Sequence, residues 1–314
     1  MKVFAPTDIS IITTYRCPMQ CKMCNIWKNP TDPRLEIQPE ELEILPHVKF
    51  INITGGEPFI REDLDKIVEV AFRKAPRVVI STSGWFEERV LELARKFPKI
   101  GIRISIEGLS QKNDELRGRA GGFDKGLRTL LSLREMGVKD IGFGITVSNN
   151  NSEDMLSLYR LSKALNMEFA TAAFHNSYYF HKDDNVITNR RMLPCEAGLM
   201  NCFIDPYGEV YPCNGLEAKY WKESMGNIRQ ANSFSDIWSS EQAQHVRSLV
   251  RKCPKNCWMV GTVSPVMKKF AYARHPMGWI IKNKLRSLLG KPVCLDKKWY
   301  DVGQDPMQGN LGRE

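Results

Sequence analysis

The sequence predicts an α/β fold built on a parallel sheet, either closed as a barrel or left open. Three observations carry this. Short apolar, β-prone runs alternate with segments whose apolar residues recur at spacings of three and four. The alternation repeats six times between residues 9 and 174, the pattern of βα units joined by right-handed crossovers. With 314 residues the chain is long enough for one large domain and a smaller one.

Strands are expected at 9–13, 50–54, 77–82, 101–106, 141–147 and 168–174, and helices at 39–45, 61–75, 86–96, 123–136 and 152–165. Gly122-Phe-Asp and Asn151-Ser-Glu-Asp offer helix starts, and Gly137 offers a stop after Met136. Folds of this kind bring ligands to the carboxyl ends of their strands. The residues that follow each strand are therefore the ones to read for function.

The first strand enters Arg16-Cys-Pro-Met-Gln-Cys-Lys-Met-Cys24, which sets Cys17, Cys21 and Cys24 in a Cys-x3-Cys-x2-Cys spacing. Three thiolates on one tight loop can hold three irons of a cubane cluster and leave the fourth iron open. A structural zinc would want a fourth protein ligand, and the next Cys or His is His47. A zinc knuckle with a remote ligand, or three unrelated thiols, are the readings that spacing alone leaves beside the cluster. The second strand runs into Gly55-Gly-Glu-Pro58. Glycines there let the backbone approach a ligand closely, and Glu57 or exposed peptide groups can hold an ammonium.

These two motifs, in this order at the ends of the first two strands, resemble the radical S-adenosylmethionine (radical SAM) superfamily. The resemblance implies a partial (β/α)6 barrel in which Cys17, Cys21 and Cys24 ligate a [4Fe-4S] cluster. The open iron would chelate the amino and carboxylate groups of S-adenosylmethionine, with Gly55, Gly56, Glu57 and Pro58 supporting the methionine end. Ser83, Ser105, Glu107 and Ser148 follow the third, fourth and fifth strands, where family members touch the cosubstrate or the substrate. Alternation puts Ser105 and Glu107 on one side of their strand. Ser105-Ile-Glu-Gly108 departs from the family's common Ser-x-Asp-Gly, and Arg117 resembles a family position on the loop after the fourth strand. For each of these residues a solvated strand end or a loop cap is the plain alternative. Glu107, Arg117 and Cys202 are the catalytic candidates.

A second cysteine group begins at Cys195. Residues 194–213 read as a β-hairpin around the turn Asp205-Pro-Tyr-Gly208, with Cys195 and Cys213 at its two ends and Cys253-Pro-Lys-Asn-Cys257 further on. This spacing resembles the auxiliary-cluster domain of the same superfamily, called SPASM or, in its shorter form, twitch. The resemblance implies one auxiliary [4Fe-4S] cluster on Cys195, Cys213, Cys253 and Cys257, with Cys202 able to replace one ligand or to donate a hydrogen. Four thiolates also suit a structural zinc. Asn214 stands where sulfatase-maturing relatives carry an Asp base, and Asn cannot act as a base at neutral pH. Cys294 reads as an ordinary thiol.

The expected organisation is a barrel over 1–185, an auxiliary-cluster domain over 186–260 and a basic extension over 261–314. The net charge is +9, and residues 265–300 carry nine Lys or Arg against one acid, Asp296. Within that stretch Trp279, Ile281, Leu285, Leu288 and Leu289 recur at near-helical spacing among Lys282, Lys284 and Arg286. Such a helix can pack on the barrel, lie on an anionic membrane surface, or grip a phosphate-bearing substrate. No run approaches the roughly 18–20 apolar residues of a membrane span, and nine cysteines read as metal ligands in a reducing cytoplasm. Nucleic acid is not expected as a partner, because the basic residues lack a recognition motif.

By resemblance the protein reductively cleaves S-adenosylmethionine to a 5′-deoxyadenosyl radical, which takes hydrogen from a substrate carbon. The leading expectation is a two-electron oxidation of a small molecule or sugar, with the auxiliary cluster as electron acceptor and a flavodoxin or ferredoxin as reductant. A radical epimerase or isomerase of a sugar or peptide is the alternative, and an electron carrier or scaffold is the non-enzymatic one. Peptide modification ranks lower, because only about eight residues precede the first strand, where peptide-modifying relatives often carry a winged-helix domain.

Overall fold

All six predicted strands are present, as β1 (Asp8–Ile12), β2 (Phe50–Thr54), β3 (Arg77–Thr82), β4 (Gly101–Ser105), β5 (Ile141–Val147) and β6 (Glu168–Ala173). They are seen in a computed structural model that describes residues 5–148, 150–173, 195, 197–213, 223–253 and 285. The strands pair in parallel and in sequence order, with Asp8 opposite Phe50 and Ile53 opposite Ile80. β3 and β4 are buried along most of their length, as parallel strands covered on both faces must be. Their Val and Ile side chains join one continuous core with the helices.

Five helices follow within this part: α1 (Leu64–Lys74), α2 (Glu87–Lys96), α3 (Ser110–Arg117), α4 (Gly122–Glu135) and α5 (Met155–Ala164). In α1 the buried residues Leu64, Ile67, Val68 and Ala71 form the stripe that helical spacing predicted. The helix starts at Leu64 rather than at 61 because Arg61 is committed elsewhere. Its Nη1 donates to the Thr13 carbonyl at 3.0 Å and its Nε to Asp63 at 2.8 Å. Gly137 ends α4 as expected, in the left-handed region at φ 79°, with the Val138 amide returning to Leu133 O. Asn151 does not start a helix. Its side chain accepts from Ser148 N and donates to Thr146 O, and α5 begins only at Met155.

Helix α3 was not predicted. Ser-Gln-Lys-Asn-Asp-Glu-Leu-Arg is polar and buries only Asn113, Leu116 and Arg117, so no apolar stripe announces it. The loop expected around Arg117 is therefore corrected to the last turn of a helix. The segment at 39–45 is helical but of 3-10 type, over Pro39–Ile44.

The hairpin is present, as β7 (Asn201–Ile204) and β8 (Val210–Tyr211), and Asp205 Oδ1 holds its turn by accepting from the amides of Tyr207 and Glu209. β7 also lies parallel to β1, with Cys202 opposite Ile9. The hairpin thus extends the barrel sheet, whose order is β6-β5-β4-β3-β2-β1-β7-β8. Helices α6 (Phe234–Ser239) and α7 (Glu241–Arg251) follow. The chain divides into two compact units, Met1–Val266 and Met267–Glu314. Asn214, Cys257, Cys294 and the basic stretch, Leu285 apart, lie outside the described residues. Among those residues no helix is long and apolar enough to cross a membrane.

Candidate functional site

Between β1 and the cysteines, Thr13 to Arg16 form a pinned segment. Glu36, buried at its side, accepts from Thr14, from Thr31 and from Arg16 through Nε at 3.0 Å and Nη2 at 2.8 Å. Burial alone would raise the Glu36 pKa, but these hydrogen bonds hold it below the ordinary carboxylate value. The Gly-Gly turn after β2 lies directly on this segment. Gly56 N donates to Thr14 O at 2.7 Å and Glu57 N to Arg16 O at 2.9 Å. A Cβ on Gly56 would stand 2.3 Å from the Arg16 carbonyl oxygen, so only glycine fits.

The ends of the strands then surround a cleft of about 210 Å³. Cys17, Cys21 and Cys24 all line it, and so do Gly55, Gly56, Ser83, Ser105, Glu107 and Arg117. Sequence reasoning thus finds the cysteines, the glycine turn and half of the polar side chains that line the cleft. It misses the side chains of Ser81, Thr82 and Thr146, although they stand in the strand-end segments it marked. It also misses the apolar walls supplied by Ile12, Met19, Trp27 and Phe203.

Three predicted contacts stand elsewhere. The Glu57 carboxylate is buried and does not line the cleft; it accepts from Phe59 N, from Thr82 Oγ1 at 2.7 Å, and from the amide and hydroxyl of Ser83. Pro58 is buried in the short helical turn that follows. Ser148 serves the turn ahead of α5. Cys202 is also apart from the cleft, enclosed in the core on the strand face opposite Phe203. Burial pushes its thiol far up in pKa, so Cys202 is neither brought to the site nor left accessible there.

Glu107 and Arg117 form a buried pair, with Arg117 Nη1 donating to Glu107 Oε1 at 3.1 Å and Thr146 N donating to Glu107 Oε2 at 2.7 Å. Burial raises the Glu107 pKa against the lowering effect of Arg117. Arg117 Nε is buried without a partner. Arg117 lines the cleft beside the three thiols, and a carboxylate is the group that suits a guanidinium there.

The thiols themselves are protonated in this state. Burial pushes Cys17 and Cys24 up to about 12, and Cys21 upward too. Metal binding would displace those protons. Among the described residues no three Cys, His, Asp or Glu side chains converge as ligands of a single ion. A cubane takes each thiolate on a different iron, so its ligands need not meet at one point. Three thiols, a glycine turn and the Arg117 guanidinium in one cleft fit a cluster with a bound amino acid group.

The second cysteine set is partly assembled as well. Cys195 and Cys213 both pack against Ala197 and Val250, and Cys253 donates its amide to Val250 O at the end of α7. Arg247 ties α7 to this loop, with Nε donating to Gly198 O at 2.6 Å and Nη2 to Trp238 O at 2.7 Å.

Comparison with known proteins agrees with this geometry. Residues 11–161 match the radical SAM superfamily, and residues 195–259 match SPASM, an iron-sulfur cluster-binding domain. Fe-coproporphyrin III synthase of Methanosarcina barkeri is 32% identical over 160 residues, which is 47% of this chain but only 39% of that protein. Mycofactocin maturase MftC of Mycolicibacterium smegmatis is 26% identical over 286 residues, covering 76% of this chain and 71% of the relative. Streptococcus suis SuiB, solved with S-adenosylmethionine, shares the fold at a TM-score of 0.64 and 15% identity, over 78% of this chain and 68% of that one. SuiB solved with its precursor peptide SuiA gives a TM-score of 0.63 at 16% identity, over 78% and 67% of the two chains. The chain belongs to the radical SAM superfamily, with a SPASM iron-sulfur cluster-binding domain after its barrel.

Proposed function

We propose that the protein oxidises its substrate by two electrons in an S-adenosylmethionine-dependent radical reaction. The observation that carries this is the single cleft shared by Cys17, Cys21, Cys24, the Gly55-Gly56 turn and Arg117. When bound, the cluster and S-adenosylmethionine supply one-electron cleavage of the sulfonium and abstraction of a hydrogen atom. The three cysteines hold the cluster, Arg117 takes the methionine carboxylate, and the Gly55-Gly56 backbone takes the methionine amino end. Glu57 and Pro58 act behind that turn, as its support. Ser105 and Thr146 are left to hydrogen-bond the ribose or the substrate, while Ser83, which also lines the cleft, has its hydroxyl committed to Glu57. The apolar walls, Ile12, Met19 and Phe203 among them, exclude water and stray hydrogen donors from the cleft.

Cys195, Cys213, Cys253 and Cys257 are assigned to hold the auxiliary cluster, which when bound would supply an acceptor for the electron left on the substrate. Division of the chain into 1–185, 186–260 and 261–314 is supported by the two matched stretches. A flavodoxin or ferredoxin fits the demand for single electrons. With Cys202 enclosed in the core, the epimerase reading loses Cys202 as its hydrogen donor.

For the substrate we infer a peptide, ahead of the small molecule or sugar expected from sequence. MftC is a maturase, and SuiB has been solved with a precursor peptide. A small-molecule substrate is the second reading, favoured by the likeness to a coproporphyrin synthase.

Anaerobic reconstitution tests the assignment. About eight iron per chain, as two cubanes require, together with cleavage of S-adenosylmethionine under reducing conditions, is the expected result. About four iron per chain would remove the auxiliary cluster from it.

A further inference from the structure

We propose that the C-terminal end of α3 is the clamp that shapes the three-cysteine loop, with Gly118 as its positioning residue. This rests on the reading that the loop holds a cluster. A helix leaves its last carbonyls without partners inside the helix. Here two of them are taken by amides of the cysteine loop: Lys22 N donates to Leu116 O at 2.8 Å and Gln20 N to Arg117 O at 3.2 Å. Arg119 Nη1 then donates to Pro18 O at 2.8 Å. Residues Pro18, Gln20 and Lys22 flank and separate Cys17, Cys21 and Cys24, so every interval of the motif is held by α3 or the residues just after it.

The approach is close enough to dictate the residue at 118. Gly118 caps α3 in the left-handed region at φ 64°, and a Cβ there would stand 2.2 Å from Gln20 O and 2.7 Å from its carbonyl carbon. Both atoms are backbone, so the loop itself would have to move. Arg119 is held in turn, its guanidinium 4.1 Å from the centre of the Trp85 ring. The same short helix also delivers Arg117 to the cleft. One element therefore sets both the cluster loop and the guanidinium that faces it, and displacement of the loop would separate them.

A matched pair of variants separates this role from ordinary backbone strain. Gly118→Ala meets the loop. Gly137→Ala forces the same left-handed backbone, at φ 79°, where nothing lies within 4 Å. Iron content and EPR spectra of the dithionite-reduced full chain, with and without S-adenosylmethionine, are the readouts. Wild type and Gly137→Ala are expected to take up about eight iron per chain, as two cubanes require. Gly118→Ala is expected to take up about half of that, keep the auxiliary signal, and lose the signal that S-adenosylmethionine perturbs. If Gly118→Ala does not fold, Arg119→Gln removes the bond to Pro18 together with the contact on Trp85, leaves the backbone of the loop unobstructed, and is expected to diminish the same perturbation. Full iron and an unchanged perturbation in Gly118→Ala, or in Arg119→Gln where it must serve instead, would overturn the clamp alone. A wild-type chain that takes up no iron at Cys17, Cys21 and Cys24 would overturn the functional reading with it.

Discussion

Glu57 is fastened to Ser83: its carboxylate accepts from both the Ser83 amide, at 2.8 Å, and the Ser83 hydroxyl. The turn after β2 is thereby tied to the end of β3, and the two glycines ahead of it are held against Thr14 and Arg16. Glu57→Gln would turn an amide donor toward a set of donors. We expect a loss of about 2 kcal/mol in stability of the apo protein, from buried hydrogen bonds left unmade, and weaker binding of S-adenosylmethionine through the displaced turn. Thermal melts and calorimetric titration of the reconstituted protein check the two effects.

Arg117 offers a different separation. Arg117→Ala leaves the Glu107 carboxylate buried and unpaired, which costs about 3–5 kcal/mol. Arg117→Ala with Glu107→Ala in the same chain should recover part of that loss in stability but none of the affinity for S-adenosylmethionine. A double-mutant cycle of melting and binding measurements distinguishes the structural half of the pair from the binding half.

Asp205 predicts a pH dependence. Burial pushes its carboxyl up to about 6, against the lowering effect of the Glu209 and Tyr207 amides. The folded state therefore holds this proton more tightly than the unfolded state does. Its contribution is fully present below about pH 4 and is lost as pH rises through about 6, a change of about 3 kcal/mol at 1.36 kcal/mol per unit. Asp205→Asn keeps an acceptor for both amides and removes the titration. The stability difference between the two proteins should move in favour of the variant between pH 4 and pH 6 and then level off, as denaturant melts at several pH values would show.

On the proposed assignment the cysteines divide into ligands and packing residues. Cys202→Ala should keep the full iron content and lose about 1 kcal/mol, the value of a small buried apolar group. Cys253→Ala should lose the auxiliary cluster, about half of the iron held by two cubanes. Iron analysis and melts on the two variants test this directly.

The strands of the barrel were legible because each is a short apolar run bounded by a helix signal, and β2, β3 and β5 have the bounds read from sequence. The cysteine spacing and the Gly-Gly turn were legible because the chemistry needs those residue types at those intervals. Helix α3 was not, since its inward residues are Asn113, Leu116 and Arg117, and two of the three look like surface residues in a sequence. The orientation of Glu57 was equally hidden. Its partners, Thr82 and Ser83, lie 25 residues away or more, and only the fold brings them within reach. Cys202 misled for the opposite reason: strand alternation, which sends Phe203 to the cleft, sends its neighbour into the core.

The parallel pairing of β7 with β1 has a consequence for electron flow. Cys17 follows the carboxyl end of β1, whereas Cys195 precedes β7 and Cys213 follows the returning β8, so the paired length of β1 and β7 stands between the first cysteine loop and the two hairpin cysteines. Their spacing is a property of a sheet rather than of a linker. On the proposed assignment, an electron leaving the substrate would cross a separation set by that sheet, and its rate would answer to the distance and the driving force.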